Sequence, residues 1–252
     1  MRPSQRQSEI ADLVRQVGNV SVEELCARFQ SSAETIRRDL NALAGVGKVK
    51  KIHGGATLPV TVGEGPFQQR LGEHIAAKRE IARKAVQLIR PGETIFIDTG
   101  TTTLTFAEEF NDIDGLTVVT NSLEIARHIG SQSGTSIRVF LLGGEYNAEN
   151  RETSGQEAAA QLGAFRAHHA FIAVGCVDSE AGATDFNLEE AQLARAMIAR
   201  SKQAIILADR SKFDRFAGYE VGPLEQFDYL VCDETPGSTL LQALHRNSVK
   251  VI

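Results

Sequence analysis

Cysteine is scarce in this chain of 252 residues. Cys26, Cys176 and Cys232 are its only three, they lie far apart, and no two form a Cys-x-x-Cys pair. That spacing argues against a disulfide framework and a cysteine-based zinc site, and a reducing compartment is expected. Long apolar runs are also missing. The longest, near Ala170–Val174 and Ala204–Ala208, are far too short to span a bilayer. The opening Met1-Arg2-Pro3-Ser4-Gln5-Arg6 has no apolar core, so no secretory signal is expected. Neither a dinucleotide fingerprint nor a Walker sequence occurs. The expectation is a soluble cytoplasmic protein with no metal, no cofactor and no membrane partner.

What is present suffices for a packed core. Apolar residues make up 42% of the chain and charged residues an ordinary 23%, which excludes wholesale disorder. The length suits one or two domains. The net charge of −5 is unevenly spread. Residues 1–60 carry nine Lys/Arg against six Asp/Glu, and residues 61–252 carry eighteen against 26. A small basic head therefore precedes a larger acidic body, and nucleic acid attracts the first and repels the second.

In the head the apolar spacing is helical. Ile10, Leu13, Val14 and Val17 form one stripe, Val22, Leu25, Cys26 and Phe29 a second, and Ile36, Leu40 and Leu43 a third. Ser21 with Glu24 predicts a capping box on the second helix, and Ser31 with Glu34 the same on the third. With its stripe turned inward, the third helix must present Glu34, Arg37, Arg38 and Asn41 outward. Ser31, Ser32 and Thr35 lie in or just before its first turn. Hydroxyls and free N–H groups there suit phosphate oxygens, and arginine suits guanine edges or phosphates. Such a helix is what a major-groove reader requires. Gly45 to Ala56 follows, a basic stretch bracketed by glycines. It predicts a two-stranded wing whose Lys48, Lys50 and Lys51 reach the phosphate backbone.

These residues carry a family resemblance. Thr35-Ile36-Arg37-Arg38-Asp39-Leu40, followed by His53-Gly54-Gly55-Ala56, resembles the DeoR family of bacterial transcriptional regulators. The chain departs from the family's usual pattern in having Ser31-Ser32 for a Val-Ser pair and Lys51 for an arginine. Both changes keep the cap and the charge. The resemblance adds His53 to the residues expected at DNA.

Thr57 to Pro66 holds Pro59, Gly63, Gly65 and Pro66 and no helical period, so it predicts an interdomain linker. The expected division is a winged helix-turn-helix domain over residues 1–58, a linker and the start of a connecting helix over 59–74, and an α/β domain over 75–252. The connecting helix is expected from Phe67 to about Ile89. Beyond it short Val- and Ile-rich strands alternate with amphipathic helices: strands at Thr94–Asp98, Leu116–Thr120, Ile137–Leu142, Ala170–Gly175, Ala204–Ala208 and Tyr229–Cys232. That alternation predicts a mostly parallel sheet covered on both faces.

Ligands of such sheets bind beyond the carboxyl ends of the strands. There the sequence places Asp98-Thr99-Gly100-Thr101-Thr102-Thr103, Thr120-Asn121-Ser122, Gly143-Gly144-Glu145 leading towards Arg151, Gly175-Cys176-Val177-Asp178, and Asp209-Arg210-Ser211-Lys212. Each turn alone could be an ordinary cap or tight turn. Together, with Lys212 and Arg151 as cations, they predict one pocket for a phosphorylated sugar or polyol.

The same turns resemble the family's effector domain through Asp-x-Gly-Thr-Thr, Val-Thr-Asn-Ser, Leu-Gly-Gly and Asp-x-Ser-Lys-Phe. The resemblance implies a sensor domain with the fold of ribose-5-phosphate isomerase, Thr99, Gly100, Thr101 and Thr102 holding phosphate, and Asp98, Asn121, Gly143 and Lys212 lining the pocket. It implies a homo-oligomeric repressor, dimer or tetramer, of a carbohydrate or polyol operon, bound to double-stranded operator DNA and released by the effector. The alternative is a sugar-phosphate isomerase with an accessory DNA-binding head, for which Asp98, Asp178, Asp185, Glu189, Glu190 and Lys212 are the candidate acid–base groups. Against it, the acidic cluster that the isomerases place after a central strand is here mostly replaced by Gly175-Cys176-Val177-Asp178. His168 and His169 begin a strand at the end away from the pocket, and no histidine is placed to activate Cys176.

Overall fold

A computed structural model describes residues 3–45, 49–52, 54–57, 63–110, 113–132 and 136–252. The chain divides into two compact units, Met1–Val62 and Gly63–Ile252.

In the first unit the three expected helices are α1 (Pro3–Val17), α2 (Val22–Phe29) and α3 (Ala33–Gly45). Ile10, Val14, Val22, Leu25, Ile36, Leu40 and Leu43 bury one small core. Val17 is a correction to the first stripe. It is 58% exposed, standing at the helix end where Gly18 turns the chain at φ 77°. The capping box on α2 forms as expected: the Glu24 N–H donates to Ser21 Oγ at 3.1 Å, and the Ser21 N–H to Glu24 Oε2 at 2.7 Å. The box expected of Ser31 and Glu34 does not form. Ser31 Oγ donates to the Phe29 carbonyl, and it is Ser32 Oγ that accepts the Thr35 N–H at 3.2 Å, so α3 starts one residue later than that box requires.

The wing is larger than a two-stranded ribbon. Strands β2 (Lys50–Ile52) and β3 (Gly55–Thr57) are joined by β1 (Asn19–Ser21), from between α1 and α2, in an antiparallel sheet of order β1-β3-β2. Gly55 is required by that third strand, since a Cβ there would sit 2.2 Å from the Val20 carbonyl oxygen. Lys48 and His53 lie outside the described residues.

The second unit begins before the expected linker ends. Phe67 is buried, so residues 63–74 belong to the body. The single helix expected from Phe67 to Ile89 is broken into α4 (Phe67–Leu71) and α5 (Ile75–Ala85), followed by a 3₁₀ turn at Val86–Leu88. His74 adopts φ 51° at the break, and the buried Lys78 Nζ donates across it to the carbonyls of Arg70 and Glu73. A cation thus satisfies carbonyls that the end of α4 leaves open.

Beyond α5 the strands are β4 (Thr94–Ile97), β5 (Thr117–Thr120), β6 (Arg138–Leu141), β7 (Glu145–Asn147), β8 (Glu152–Ser154), β9 (Ala167–Ala173), β10 (Cys176–Asp178), β11 (Gly182–Asp185), β12 (Ser201–Leu207), β13 (Tyr219–Gly222), β14 (Tyr229–Val231) and β15 (Lys250–Val251). The helices are α6 (Thr101–Ala107), α7 (Leu123–Gly130), α8 (Gln156–Gln161), α9 (Leu188–Ala199) and α10 (Ser238–Arg246). Seven strands form one parallel sheet of order β15-β14-β12-β9-β4-β5-β6. Side chains alternate between its faces. Ile95, Ile97, Phe171, Ile205 and Leu207 pack with residues of α5, α6 and α7 on one face. Phe96, Ala170, Ile172, Ala204 and Ile206 pack with residues of α8, α9 and α10 on the other. Burial on both sides is why these strands read as unbroken apolar runs.

The chain leaves β4 towards β5 and β6, then returns to the other side of β4 for β9, β12, β14 and β15. The order therefore reverses between β4 and β9, and the crevice of a parallel sheet opens beyond the carboxyl ends at that reversal. Two small antiparallel sheets, β7-β8 and β10-β11-β13, lie outside the main sheet. Their strands follow β6, β9 and β12, where sequence periodicity predicts only loops.

Candidate functional site

In the head the outward face of α3 is as expected. Glu34, Arg37, Arg38 and Asn41 are exposed, and Arg37 and Arg38 have no ion-pair partner among the described residues. Asp39, in the middle of the same motif, does not restrain them. It is buried, accepts from Arg6 Nε at 2.6 Å and Gln7 Nε2 at 2.9 Å, and so ties α1 to α3. Lys51 Nζ donates to Asn41 Oδ1 at 2.6 Å, which joins the wing to the exposed face of α3.

In the body the turns after β4, β5, β9 and β12 bring buried polar groups to one end of the sheet. Asp98 is fully enclosed, donated to by the Thr99 N–H at 2.8 Å. The β7-β8 hairpin folds over the end of β5: the Thr153 N–H donates to the Asn121 carbonyl at 2.9 Å and Thr153 Oγ1 to the Leu142 carbonyl at 2.6 Å. This carries Glu152, fully buried, against Asn121, whose Nδ2 donates to it at 3.3 Å. Asn150 Nδ2 donates to Glu190 Oε1 at 2.8 Å. After β12, Asp209 accepts the Ser211 N–H and forms the short turn that presents Lys212. Among the described residues, two of these buried groups, Thr99 Oγ1 and Asn121 Oδ1, have no hydrogen-bond partner, and the Glu152 carboxyl has Glu190 and Asn150 at longer reach. Buried polar atoms are almost always paired, so orphans gathered in one crevice point to a ligand.

The electrostatics are unusual. Burial, and then Glu152 and Asp185, push the Asp98 carboxyl well above the ordinary carboxylate range. Burial raises Glu152, and burial followed by the Glu152 charge raises Glu190. Asp185 is pushed up to about 6, chiefly by burial. Glu64 goes the other way. Burial alone would raise it, but Lys212 and Arg70 outweigh that and hold it low. At neutral pH the crevice therefore combines carboxyls that retain protons, Asp98 and Glu190 above all, with the ionised Glu64 carboxylate on two cations.

Several expected site residues have other employment. Thr120 Oγ1 accepts the Ser122 N–H at 3.0 Å. Gly100 and Gly144 are demanded by close packing, since a Cβ would lie 2.7 Å from Ala173 Cβ and 2.3 Å from the Ser154 carbonyl oxygen respectively. Gly143 donates to Gln161 Oε1 at 2.9 Å, and a Cβ on Gly175 would meet the Phe186 ring at 2.9 Å. Arg151 is held by Glu124 Oε1 at 3.0 Å and Gln68 Oε1 at 2.9 Å. Asp178 caps a turn through the Glu180 and Ala181 N–H groups. Glu189 accepts from Ser154 Oγ. His168 and His169 stand at the amino end of β9, where they engage Thr94 and Glu93. Cys176 is buried, and burial pushes its thiol up.

Sequence reasoning missed Glu64, Arg70, Lys78 and Glu152. The first lies in a Gly- and Pro-rich stretch, where charged residues are ordinarily solvated. The only signal for Glu152 is its alternation with Ser154 in a three-residue strand.

A family model described as a DeoR-like helix-turn-helix domain matches residues 6–62, and one described as the DeoR C-terminal sensor domain matches residues 73–234. The chain belongs to the DeoR family. This DeoR-family protein is 32% identical to the glycerol-3-phosphate regulon repressor of Escherichia coli (strain K12) over 251 residues, covering 100% of this chain and 99% of that one. It is 32% identical to the HTH-type transcriptional repressor GlcR of Bacillus subtilis (strain 168), covering 100% and 96%. Among solved structures, ribose 5-phosphate isomerase A of Methanocaldococcus jannaschii is 16% identical with a TM-score of 0.39, over 54% of this chain and 53% of that. The tetrameric eIF2B-beta2-delta2 complex of C. thermophilum is 13% identical with a TM-score of 0.50, over 97% and 88%, a likeness of fold alone. Among the described residues no three His, Cys, Asp or Glu side chains are placed to hold a metal ion, and no helix is long and apolar enough to cross a membrane.

Proposed function

We infer that this protein is a DNA-binding transcriptional repressor of a carbohydrate or polyol operon, released from its operator by a phosphorylated sugar or polyol. The repressors it matches along their whole length support the regulatory role. The reading of the body rests on one observation above all: Thr99 and Asn121 offer buried unpartnered oxygens, beside the buried Glu152, in the crevice that also holds Lys212. Hydroxyls of Thr99, Thr101 and Thr102 with the Lys212 ammonium suit a phosphate. The carboxyl groups of Asp98, Glu152 and Asp185 and the Asn121 amide suit the hydroxyls of a polyol, which both donate and accept.

In the head, Arg37 and Arg38 read base edges from the start of α3, Glu34 accepts from a base-edge amino group, Ser31, Ser32 and Thr35 set the register on the backbone, and Lys48, Lys50, Lys51 and His53 reach phosphate. Copies joined as a homo-oligomer place two or more heads on repeated half-sites. A hundredfold loss of operator affinity requires about 2.7 kcal/mol of coupling, within the usual allosteric range.

The test is fluorescence anisotropy on the DNA upstream of the protein's own gene, repeated at fixed salt with a panel of sugar phosphates and their unphosphorylated parents. Binding weakened by one phosphorylated compound and not by its parent is the expected result. Consumption of a panel compound without specific DNA binding would overturn it in favour of an enzyme.

A further inference from the structure

Lys212 and Arg70 converge on a single carboxylate. Arg70 Nη1 meets Glu64 Oε2 at 2.6 Å, and Lys212 Nζ meets the other oxygen, Oε1. All three side chains are mostly buried. Arg70 is itself fixed from several directions: its Nε donates to the Gly65 carbonyl at 3.1 Å, its Nη2 reaches Asn150 Oδ1 at 3.5 Å, and Lys78 holds its carbonyl across the α4–α5 break. Two cations, one of them firmly fixed, thus stand in a crevice otherwise crowded with carboxyl groups, and one anion bridges them. That anion comes from Gly63–Pro66, the stretch without regular structure that opens the body directly after the head's last residue, Val62.

A carboxylate on two cations offers two oxygens and one negative charge. A phosphate monoester offers three oxygens and nearly two charges, and binds the same pair of cations more strongly. We propose that Arg70 and Lys212 form the anion subsite for the effector's phosphate, and that Glu64 is its resident internal occupant, displaced when the effector binds. The proposal rests on the effector reading above and extends it. Expelling Glu64 releases Gly63–Pro66 from the crevice, so pocket occupancy acts on the segment that joins the two domains. Differential contact of this kind is what a ligand needs to shift an equilibrium. The free repressor in this account is held by its own carboxylate.

The full-length protein is titrated with inorganic phosphate by calorimetry in a phosphate-free, sulfate-free buffer, as wild type, Glu64→Gln and Lys212→Ala. Glu64→Gln is expected to bind phosphate at least tenfold more tightly than wild type, because the competitor has lost its charge. It is also expected to bind the operator at least tenfold more weakly with nothing added. Lys212→Ala is expected to bind no phosphate. If wild type binds phosphate, Lys212→Ala does not, and Glu64→Gln binds it no more tightly than wild type, Glu64 is no competitor: the inference falls and the effector reading stands. If neither wild type nor Glu64→Gln binds phosphate, the pocket reading falls and takes this proposal with it. Should Glu64→Gln fail to fold, Glu64→Asp, still charged but one methylene too short to bridge both cations, carries the test. It is expected to bind phosphate two- to fivefold more tightly than wild type, and unchanged affinity overturns the proposal.

Discussion

Asp39 and Arg37 stand two positions apart in one motif and do opposite things. Asp39 accepts from Arg6 in the core of the head, while Arg37 projects into solvent. Removing one partner of a buried ion pair costs about 3 kcal/mol, and trimming an exposed side chain costs within about 0.5 kcal/mol. Asp39→Ala is therefore expected to lower the stability of the head by about 3 kcal/mol, and Arg37→Ala to leave it unchanged while abolishing specific operator binding. Urea unfolding followed by circular dichroism, beside anisotropy on the operator, separates the two. In the body Asp185 allows a pH prediction. Its folded pKa of about 6 exceeds the ordinary carboxylate value, so the folded state binds the extra proton. The stabilisation it contributes is complete below about pH 4 and is lost as pH rises through 6. The melting temperature is expected to fall between about pH 4 and 6, and Asp185→Asn to make that fall shallower. An unchanged profile in the variant would mean that Asp185 titrates normally.

At the scale of elements, the wing and the broken connecting helix show where local pattern and tertiary contact part company. Gly54 and Gly55 are adjacent but differ in what holds them. Gly54 adopts φ 79° with open space around its α-carbon, whereas Gly55 lies against the Val20 carbonyl. Gly54→Ala is expected to cost about 1 kcal/mol of backbone strain. Gly55→Ala must push β3 off β1, so it is expected to cost more and to weaken operator binding at least tenfold, with phosphate binding by the body unaffected. Equal effects of the two substitutions on the melting temperature and anisotropy would deny the close approach. The helical stripes of α1, α2 and α3, and the apolar strands of the parallel sheet, were legible because each is a repeat at fixed spacing. The α4–α5 break was not. Gly72 is a weak local signal, and the break is secured by Lys78, whose task depends on the carbonyls its ammonium meets rather than on its neighbours in sequence.

For the whole molecule, the basic head and acidic body translate into a salt dependence. Removing one cation that neutralises a DNA phosphate lowers the slope of log affinity against log salt by about 0.9. Lys51→Ala is expected to reduce that slope by about one and to weaken all sequences alike, whereas Arg37→Ala is expected to erase the difference between operator and unrelated DNA. Anisotropy at four or five salt concentrations on both DNAs reads each effect. Lys212→Ala is expected to weaken operator binding, because it removes one of the two cations that hold Glu64, and to abolish any further release by the phosphorylated effector. Release at wild-type effector concentrations would place Lys212 outside the pocket.

The sequence alone determined the two-part organisation, the three head helices, the exposed arginines of α3, the parallel sheet and the polar turns at its carboxyl end. All of these follow from periodicity, composition and short motifs, which are local properties of the chain. Only the tertiary structure decided which polar residues meet. Glu152 enters the crevice because a hairpin folds over β5, Arg151 is turned instead to Glu124 and Gln68, and Glu64 reaches Lys212 across 148 positions of sequence. A residue's ionisation, and so its part in binding, depends on burial and on charges brought near by the fold, and no local pattern of residues encodes that.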